Sequence, residues 1–93
     1  MFLGLPDMDR VNKTLDDLDD DQFKRFKRFL LDPVYLDGEE PIGRARLQNK
    51  DRMDTADMIV ETYPDNVDQI MVNVLAKVGR KDLQAPYKNK GTV

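Results

Sequence analysis

The sequence predicts an all-α fold, an antiparallel bundle of five or six short helices joined by short connections. Apolar residues recur at the three- and four-residue spacing of amphipathic helices along most of the chain. Asp or Asn stands before these segments and Pro or Gly after them, as at the ends of helices. Because 93 residues suffice for one hydrophobic core and not for two, we expect a single domain over residues 1–93, with its core at about 7–83.

Two helices are predicted in the first third of the chain, over residues 7–18 and 19–31. Asp7 and Asp19 are their candidate N-caps, and Gln22 stands where a capping box requires Glu or Gln. The apolar stripes of these helices are predicted to consist of Val11, Leu15, Leu18, Phe23, Phe26 and Leu30.

A long loop is predicted over residues 33–43, where two prolines and two glycines stand, and a weak helical segment follows at 44–50. The next helix is predicted to begin at a cap, Asp51 or Asp54, and to stop before Pro64. Its apolar stripe is predicted to consist of Met53, Ala56, Ile59, Val60 and Tyr63.

The most regular helix is predicted between Asn66, its candidate N-cap, and Gly79, a residue type common just after a helix. Beyond Gly79, Leu83 and Tyr87 could anchor a last short helix, which we expect Pro86 to interrupt. The buried face of the regular helix is predicted to consist of Val67, Ile70, Met71, Val74, Leu75 and Val78.

The residue types argue against an enzyme. The chain has no cysteine, which excludes disulfides and thiolate chemistry, and no histidine, the commonest general base and metal ligand. It also lacks a glycine-rich phosphate loop, a nucleophile elbow and a calcium-binding loop. The acidic run at residues 19–21 is explained better as a helix start than as a metal site. We therefore expect no catalytic residue, no metal and no cofactor.

Net charge and hydropathy also exclude classes of partner. The formal net charge is −3, whereas binding to nucleic acid phosphates requires a basic excess, so nucleic acid is not expected as the main partner. No apolar run approaches the roughly 18 residues of a membrane span, so no membrane partner is expected either.

Charge is sorted among the predicted helices. The basic outer positions are Lys24, Arg25, Lys27, Arg28, Arg44, Arg46 and Lys50, and the acidic ones are Asp9, Asp16, Asp17, Asp51, Asp54, Asp57 and Glu61. If the two sets occupy different sides of the bundle, the domain is self-complementary head to tail, and such contacts propagate into rings or open helices. For each residue alone, a solvated surface charge of little energetic consequence remains the alternative.

Three motifs follow one another over most of the chain. The first comprises Leu15, Leu18, Gln22, Phe23, Lys24, Phe26, Lys27 and Leu30; the second Pro41, Ile42, Arg44 and Leu47; and the third Asp51, Asp54, Asp57, Ile59 and Val60. In this order and spacing they resemble a pyrin domain, a family of the death-fold superfamily, and residues 72–83 are similar to its last two helices. The chain departs from the family pattern at Gly43, where proline is usual, and at Pro86.

The resemblance implies a six-helix antiparallel bundle of the death fold, with a short third helix and a sixth that is short or frayed. Pyrin domains associate with one another through acidic patches on helices one and four that meet basic patches on helices two and three. Carried over to this chain, the acidic side is Asp16, Asp51 and Asp54, with Asp9 and Asp17 as further candidates. The basic side is Lys24, Arg25, Arg28 and Arg44.

The resemblance also implies a role in inflammasome signalling, as the N-terminal module of a longer cytoplasmic protein. Residues 41–57 are most similar to the pyrin domains of nucleotide-binding leucine-rich-repeat sensors, whose expected partner is the pyrin domain of an ASC-type adaptor, with self-association on clustering. The alternatives are the pyrin domain of an inflammatory caspase or a free-standing pyrin decoy. A helical DNA-binding module that uses residues 24–28, or a domain that packs onto its own parent protein, is a further alternative.

Overall fold

The computed structural model describes residues 5–88, with side chains from Met8 onward, and these residues form six α-helices and two short 3-10 turns without a strand. The helices are α1 (Leu5–Asp16), α2 (Asp20–Phe29), α3 (Arg44–Leu47), α4 (Arg52–Thr62), α5 (Val67–Val78) and α6 (Ala85–Lys88), and the 3-10 turns are Pro33–Tyr35 and Lys81–Gln84. The predicted all-α, six-helix fold is confirmed, including the short third and sixth helices.

The start of α2 has the geometry that its sequence predicts. The Asp19 carboxylate accepts a hydrogen bond from the Gln22 amide (2.8 Å), and the Gln22 side chain accepts one from the Asp19 amide (3.1 Å). This reciprocal capping box satisfies two backbone donors that have no partner within the helix. Phe23, Phe26 and Leu30 are buried along one face, as predicted.

Helix α5 lies at the centre of the core. All six of its predicted core residues are buried, and the helix packs against α2, α6 and the second 3-10 turn. Gly79 ends it with a φ of 94°, in the left-handed region that glycine adopts without steric cost.

One predicted N-cap is wrong, and a second stands at the predicted position without the expected side-chain hydrogen bond. Helix α1 already begins at Leu5, so Asp7 lies inside its first turn and is not the N-cap. Asn66 does precede α5, but its side chain caps no amide of that helix. The Asn66 carboxamide instead donates to the Glu39 carboxylate in the long loop, a contact between distant segments that the local sequence does not reveal.

The predicted buried face of α4 is also wrong in part. Met53 is 60% exposed, Val60 is only half-buried, and Thr55 is fully buried beside Ala56 and Ile59. The helix begins at Arg52 with Asp51 as its N-cap, and its rotation turns Thr55 inward and Met53 outward. Because threonine and methionine both occur on either side of a helix, apolar spacing alone could not determine that rotation.

The prediction that Pro86 interrupts the last helix is wrong. Pro86 is the second residue of α6, in the first turn, where the missing N–H costs no intrahelical hydrogen bond. The following Tyr87 is buried in the core, and its hydroxyl donates to the Arg10 carbonyl (3.0 Å) and contacts the Thr14 hydroxyl (2.7 Å). The core therefore extends past the predicted limit at residue 83.

Two apolar side chains of the long loop between α2 and α3 anchor it in the core. Leu36 and Ile42 are buried in the core, whereas Val34, in the first 3-10 turn, is 73% exposed. Leu47, in the short α3, is also buried. These anchors hold α3 beside α2.

Candidate protein-interaction surfaces

The acidic face comprises the five candidate carboxylates of α1, the turn after it and the start of α4. All five side chains are exposed: Asp9, Asp16, Asp17, Asp51 and Asp54. Helices α1 and α4 form the most extensive helix–helix contact of the described residues. Asp9 and Asp16 are seven residues apart and so project from the same side of α1.

Arg52 joins the end of α1 to the start of α4. Its guanidinium donates to the carbonyls of Leu15 (2.8 Å) and Leu18 (2.7 Å) and lies 4.8 Å from the centre of the Phe23 ring. The last carbonyls of a helix lack intrahelical donors, so a cation at this position satisfies them. Arg52 thereby brings Asp16 and Asp17 near the first turn of α4. Arg52 is not among the predicted site residues, and its only sequence signal is a cation beside Asp51 and Asp54.

Asp51 has a structural contact as well as an exposed charge. Its carboxylate accepts a hydrogen bond from the Asp54 amide at 2.8 Å and so caps α4. Asp54 lies in the same first turn, where a negative charge complements the helix dipole. A substitution of Asp51 must therefore preserve the cap if it is to report on charge alone.

The basic groove is a cavity of about 440 Å³ between α2 and α3. It brings together three of the four predicted basic residues, and no carboxylate lines it. Within residues 8–88, none of these three, Lys24, Arg28 and Arg44, forms an ion pair. The complete lining is Lys24, Lys27, Arg28, Leu31, Arg44, Leu47 and Gln48.

Lys27 faces into the protein from the edge of the groove. Its ammonium donates to the carbonyls of Gln48 (3.2 Å) and Lys50 (3.0 Å) and lies 4.8 Å from the centre of the Phe23 ring. Burial lowers the pKa of Lys27 below its ordinary value; the charge of Asp51 opposes this shift, and that of Lys24 adds to it. Lys27 thus ties the turn after α3 to α2.

Arg25, the fourth predicted basic residue, lies outside the groove. Its guanidinium donates to the Val78 carbonyl (3.1 Å) at the end of α5. The structure therefore separates Arg25 from Lys24, Arg28 and Arg44, although all four belong to the same predicted basic set.

Among residues 5–88, no three His, Cys, Asp or Glu side chains are grouped so that they could hold a metal ion. None of the helices in this range is long and apolar enough to cross a membrane. The candidate site consists of exposed charged surfaces, which in protein interfaces steer the encounter and select the partner.

Comparison with known proteins identifies the family. The PAAD/DAPIN/Pyrin domain family matches residues 10–85, and the chain belongs to this family. A pyrin domain is a homotypic death-fold interaction module and not a catalytic domain. The chain is also 36% identical over 72 residues to Caspase b of Danio rerio, an alignment that covers 77% of this chain and 18% of that relative. No solved structure gave a significant match.

Proposed function

We propose that this pyrin domain assembles head to tail with other pyrin domains, its acidic face against the basic groove of a neighbour. The observation that carries the proposal is the basic groove, where Lys24, Arg28 and Arg44 converge without a carboxylate in the lining. The exposed carboxylates of the acidic face supply the complementary charge. Because the two surfaces differ, such a contact is heterologous and extends from copy to copy.

The proposed partner is the pyrin domain of an ASC-type adaptor, met in the cytoplasm during inflammasome signalling. One contact between exposed charges is weak, at about 0–1 kcal/mol per ion pair, so an isolated domain stays monomeric when dilute. Clustering by the rest of a longer parent protein raises the local concentration, and the clustered domains then nucleate the adaptor.

Two parent proteins have separate support. The similarity of residues 41–57 to sensor pyrin domains favours a nucleotide-binding leucine-rich-repeat sensor. The identity of 36% to a caspase over 77% of the chain favours the pyrin domain of an inflammatory caspase. Both proposals use the same two surfaces and differ in whether the domain starts the adaptor assembly or joins it.

Paired charge reversals test the contact. Lys24→Glu in the groove and Asp54→Lys on the acidic face should each prevent co-assembly with an ASC-type pyrin domain, measured by light scattering against concentration and salt. Lys81→Glu and Asp65→Lys are matched controls, because both residues are exposed and lie outside the two surfaces. Normal assembly of both reversed variants, with circular dichroism unchanged, refutes the proposal.

Seeding separates the candidate parents. A sensor domain, clustered by fusion to a trimeric coiled coil, should start polymerisation of the adaptor pyrin domain at substoichiometric amounts. A caspase domain should instead bind preformed adaptor filaments without shortening the lag phase, and a decoy should block growth. Steeply salt-dependent binding to unrelated DNA duplexes, with no adaptor binding, would favour the nucleic-acid alternative instead.

A further inference from the structure

Two large apolar side chains are largely exposed among the residues whose side chains are described. One is Val34, in the first 3-10 turn, and the other is Met53, which is 60% exposed in the first turn of α4. Single exposed apolar residues are common and need no explanation by themselves. Met53 differs because of the charged residues around it.

Met53 lies within the acidic face. It is adjacent in sequence to Asp54. Asp57 is four residues after Met53, so the side chains of Met53 and Asp57 are neighbours on the helix surface. Met58, in contrast, lines a cavity with residues of α3 and the turn after it. Met53 and Met58 point about 140° apart around α4, so Met53 projects away from α3.

The basic groove has a matching apolar component. Leu31 is half-buried and Leu47 is buried, and both line the groove below its cations. The methylene stem of Lys24 adds further apolar surface. A partner that offered only carboxylates would satisfy the cations but would leave this apolar lining against charged groups. A partner with an apolar side chain among its carboxylates satisfies both parts.

We propose that Met53 of one pyrin domain inserts into the basic groove of the next, against Leu31 and Leu47, while the surrounding carboxylates pair with the groove's cations. This inference rests on the proposed function and adds the residue that fixes the register of the contact. Methionine is suited to the position because its unbranched side chain adapts to an irregular cavity. The occupant is thus a second copy of this fold, identified by an apolar side chain ringed by acids.

Two variants that each lack one of the two surfaces limit the head-to-tail assembly to a single contact. Lys24→Glu damages the groove and leaves only the acidic face, and Asp54→Lys damages the acidic face and leaves only the groove. Mixed together, the two variants can form one head-to-tail contact and cannot extend it. The dissociation constant is measured by titrating the Lys24→Glu variant into methyl-labelled Asp54→Lys variant and following the methyl signals of Leu31 and Leu47.

Met53→Gln keeps the length of the side chain and removes its apolar character, and it can be placed in either partner. In the Lys24→Glu partner, where Met53 enters the contact, we expect binding about tenfold weaker, as for loss of much of a buried methionine. In the Asp54→Lys partner the same substitution lies on the acidic face, which makes no contact in this pair, so we expect an unchanged dissociation constant. Met53→Leu in the Lys24→Glu partner should retain most of the affinity.

The outcomes distinguish this inference from the function on which it rests. One outcome is that the Lys24→Glu and Asp54→Lys variants bind each other while Met53→Gln changes the dissociation constant equally in both partners or in neither. In that case Met53 does not enter the groove, and the charge contact stands. If methyl shifts lie away from Leu31 and Leu47, the insertion is likewise refuted. If the two variants do not bind at all, the head-to-tail proposal fails and this inference fails with it. Thermal melts of each variant exclude unfolding as the cause.

Discussion

Two substitutions of Asp51 are predicted to separate its effect on the stability of the fold from its effect on assembly. The side chain caps α4 through its hydrogen bond to the Asp54 amide, and its charge belongs to the acidic face. Asp51→Asn removes the charge but keeps an oxygen that accepts from the same amide. Asp51→Ala removes both the charge and the cap.

The expected magnitudes follow from these contacts. Loss of an N-cap costs about 1 kcal/mol, whereas Asn and Asp cap about equally well. For a domain of this size, Asp51→Ala should lower the melting temperature by about 4–8 °C, and Asp51→Asn should change it little. Loss of one exposed ion pair, worth up to about 1 kcal/mol, should raise the concentration at which assembly begins by up to about fivefold.

The assay is light scattering against protein concentration, with a thermal melt of each variant followed by circular dichroism. Both variants should raise the assembly threshold by a similar factor, although only Asp51→Ala melts earlier. Asp65→Asn is the matched control, since it deletes an equal charge from an exposed residue outside the acidic face. If Asp51→Asn assembles like the wild type while Asp51→Ala does not, the carboxylate acts only through the helix, and its place in the contact is refuted.

Four further substitutions test the fold. Arg52→Ala should lower the free energy of unfolding by about 2–4 kcal/mol in urea titrations, because two carbonyls lose a charged donor. Thr55→Val should raise it by up to about 1 kcal/mol, since the buried Thr55 hydroxyl has no partner among the described residues and valine has the same shape; a loss of stability would contradict this. The pKa of Tyr63 is raised above 10.0 by burial and by the charge of nearby Glu39, so this hydroxyl ionises at lower pH in the unfolded chain than in the folded one. Stability from this group is complete below pH 10 and is lost as pH rises through the folded-state pKa, so urea midpoints of Tyr63→Phe should fall less above pH 10 than those of the wild type. Tyr87→Ala should lower the free energy of unfolding by about 3–5 kcal/mol, because Tyr87 is buried in the core. Lys88→Ala, at an exposed residue, should leave it nearly unchanged, and an equal loss in both variants would contradict a core that extends to α6.

The helices differ, for a physical reason, in how far their buried faces can be predicted from the sequence. Helix α5 carries valine, isoleucine, leucine and methionine at every inward position and ends in a glycine, so spacing and chemistry give the same answer. The same holds for α2, where the capping box is local in sequence. In α4, Thr55 and Met53 are each compatible with either side of the helix, so its rotation depends on tertiary contacts such as that of Arg52 with the end of α1.

The candidate site could be predicted from the sequence as a set of charges but not as surfaces. Residue type and helix spacing identified Lys24, Arg25 and Arg28 as outward cations. Only the packing of α2 against its neighbours places Lys24 and Arg28 on the groove and Arg25 at the end of α5. Local sequence carries no information on which carbonyl a long side chain will reach, so this division needed the structure.

Two groups among the described cations differ in their internal contacts, and this difference decides which mutations are informative about assembly. Five of them donate hydrogen bonds to main-chain carbonyls, mostly at or near helix ends: Arg10, Arg25, Lys27, Arg52 and Arg80. Reversing one of these charges removes an internal contact, so failed assembly would not distinguish a lost interface from a weakened fold. The cations that line the basic groove without a hydrogen bond or ion pair inside the described chain are Lys24, Arg28 and Arg44. These three can be reversed without breaking an internal contact, so their loss of assembly would report on the partner's carboxylates.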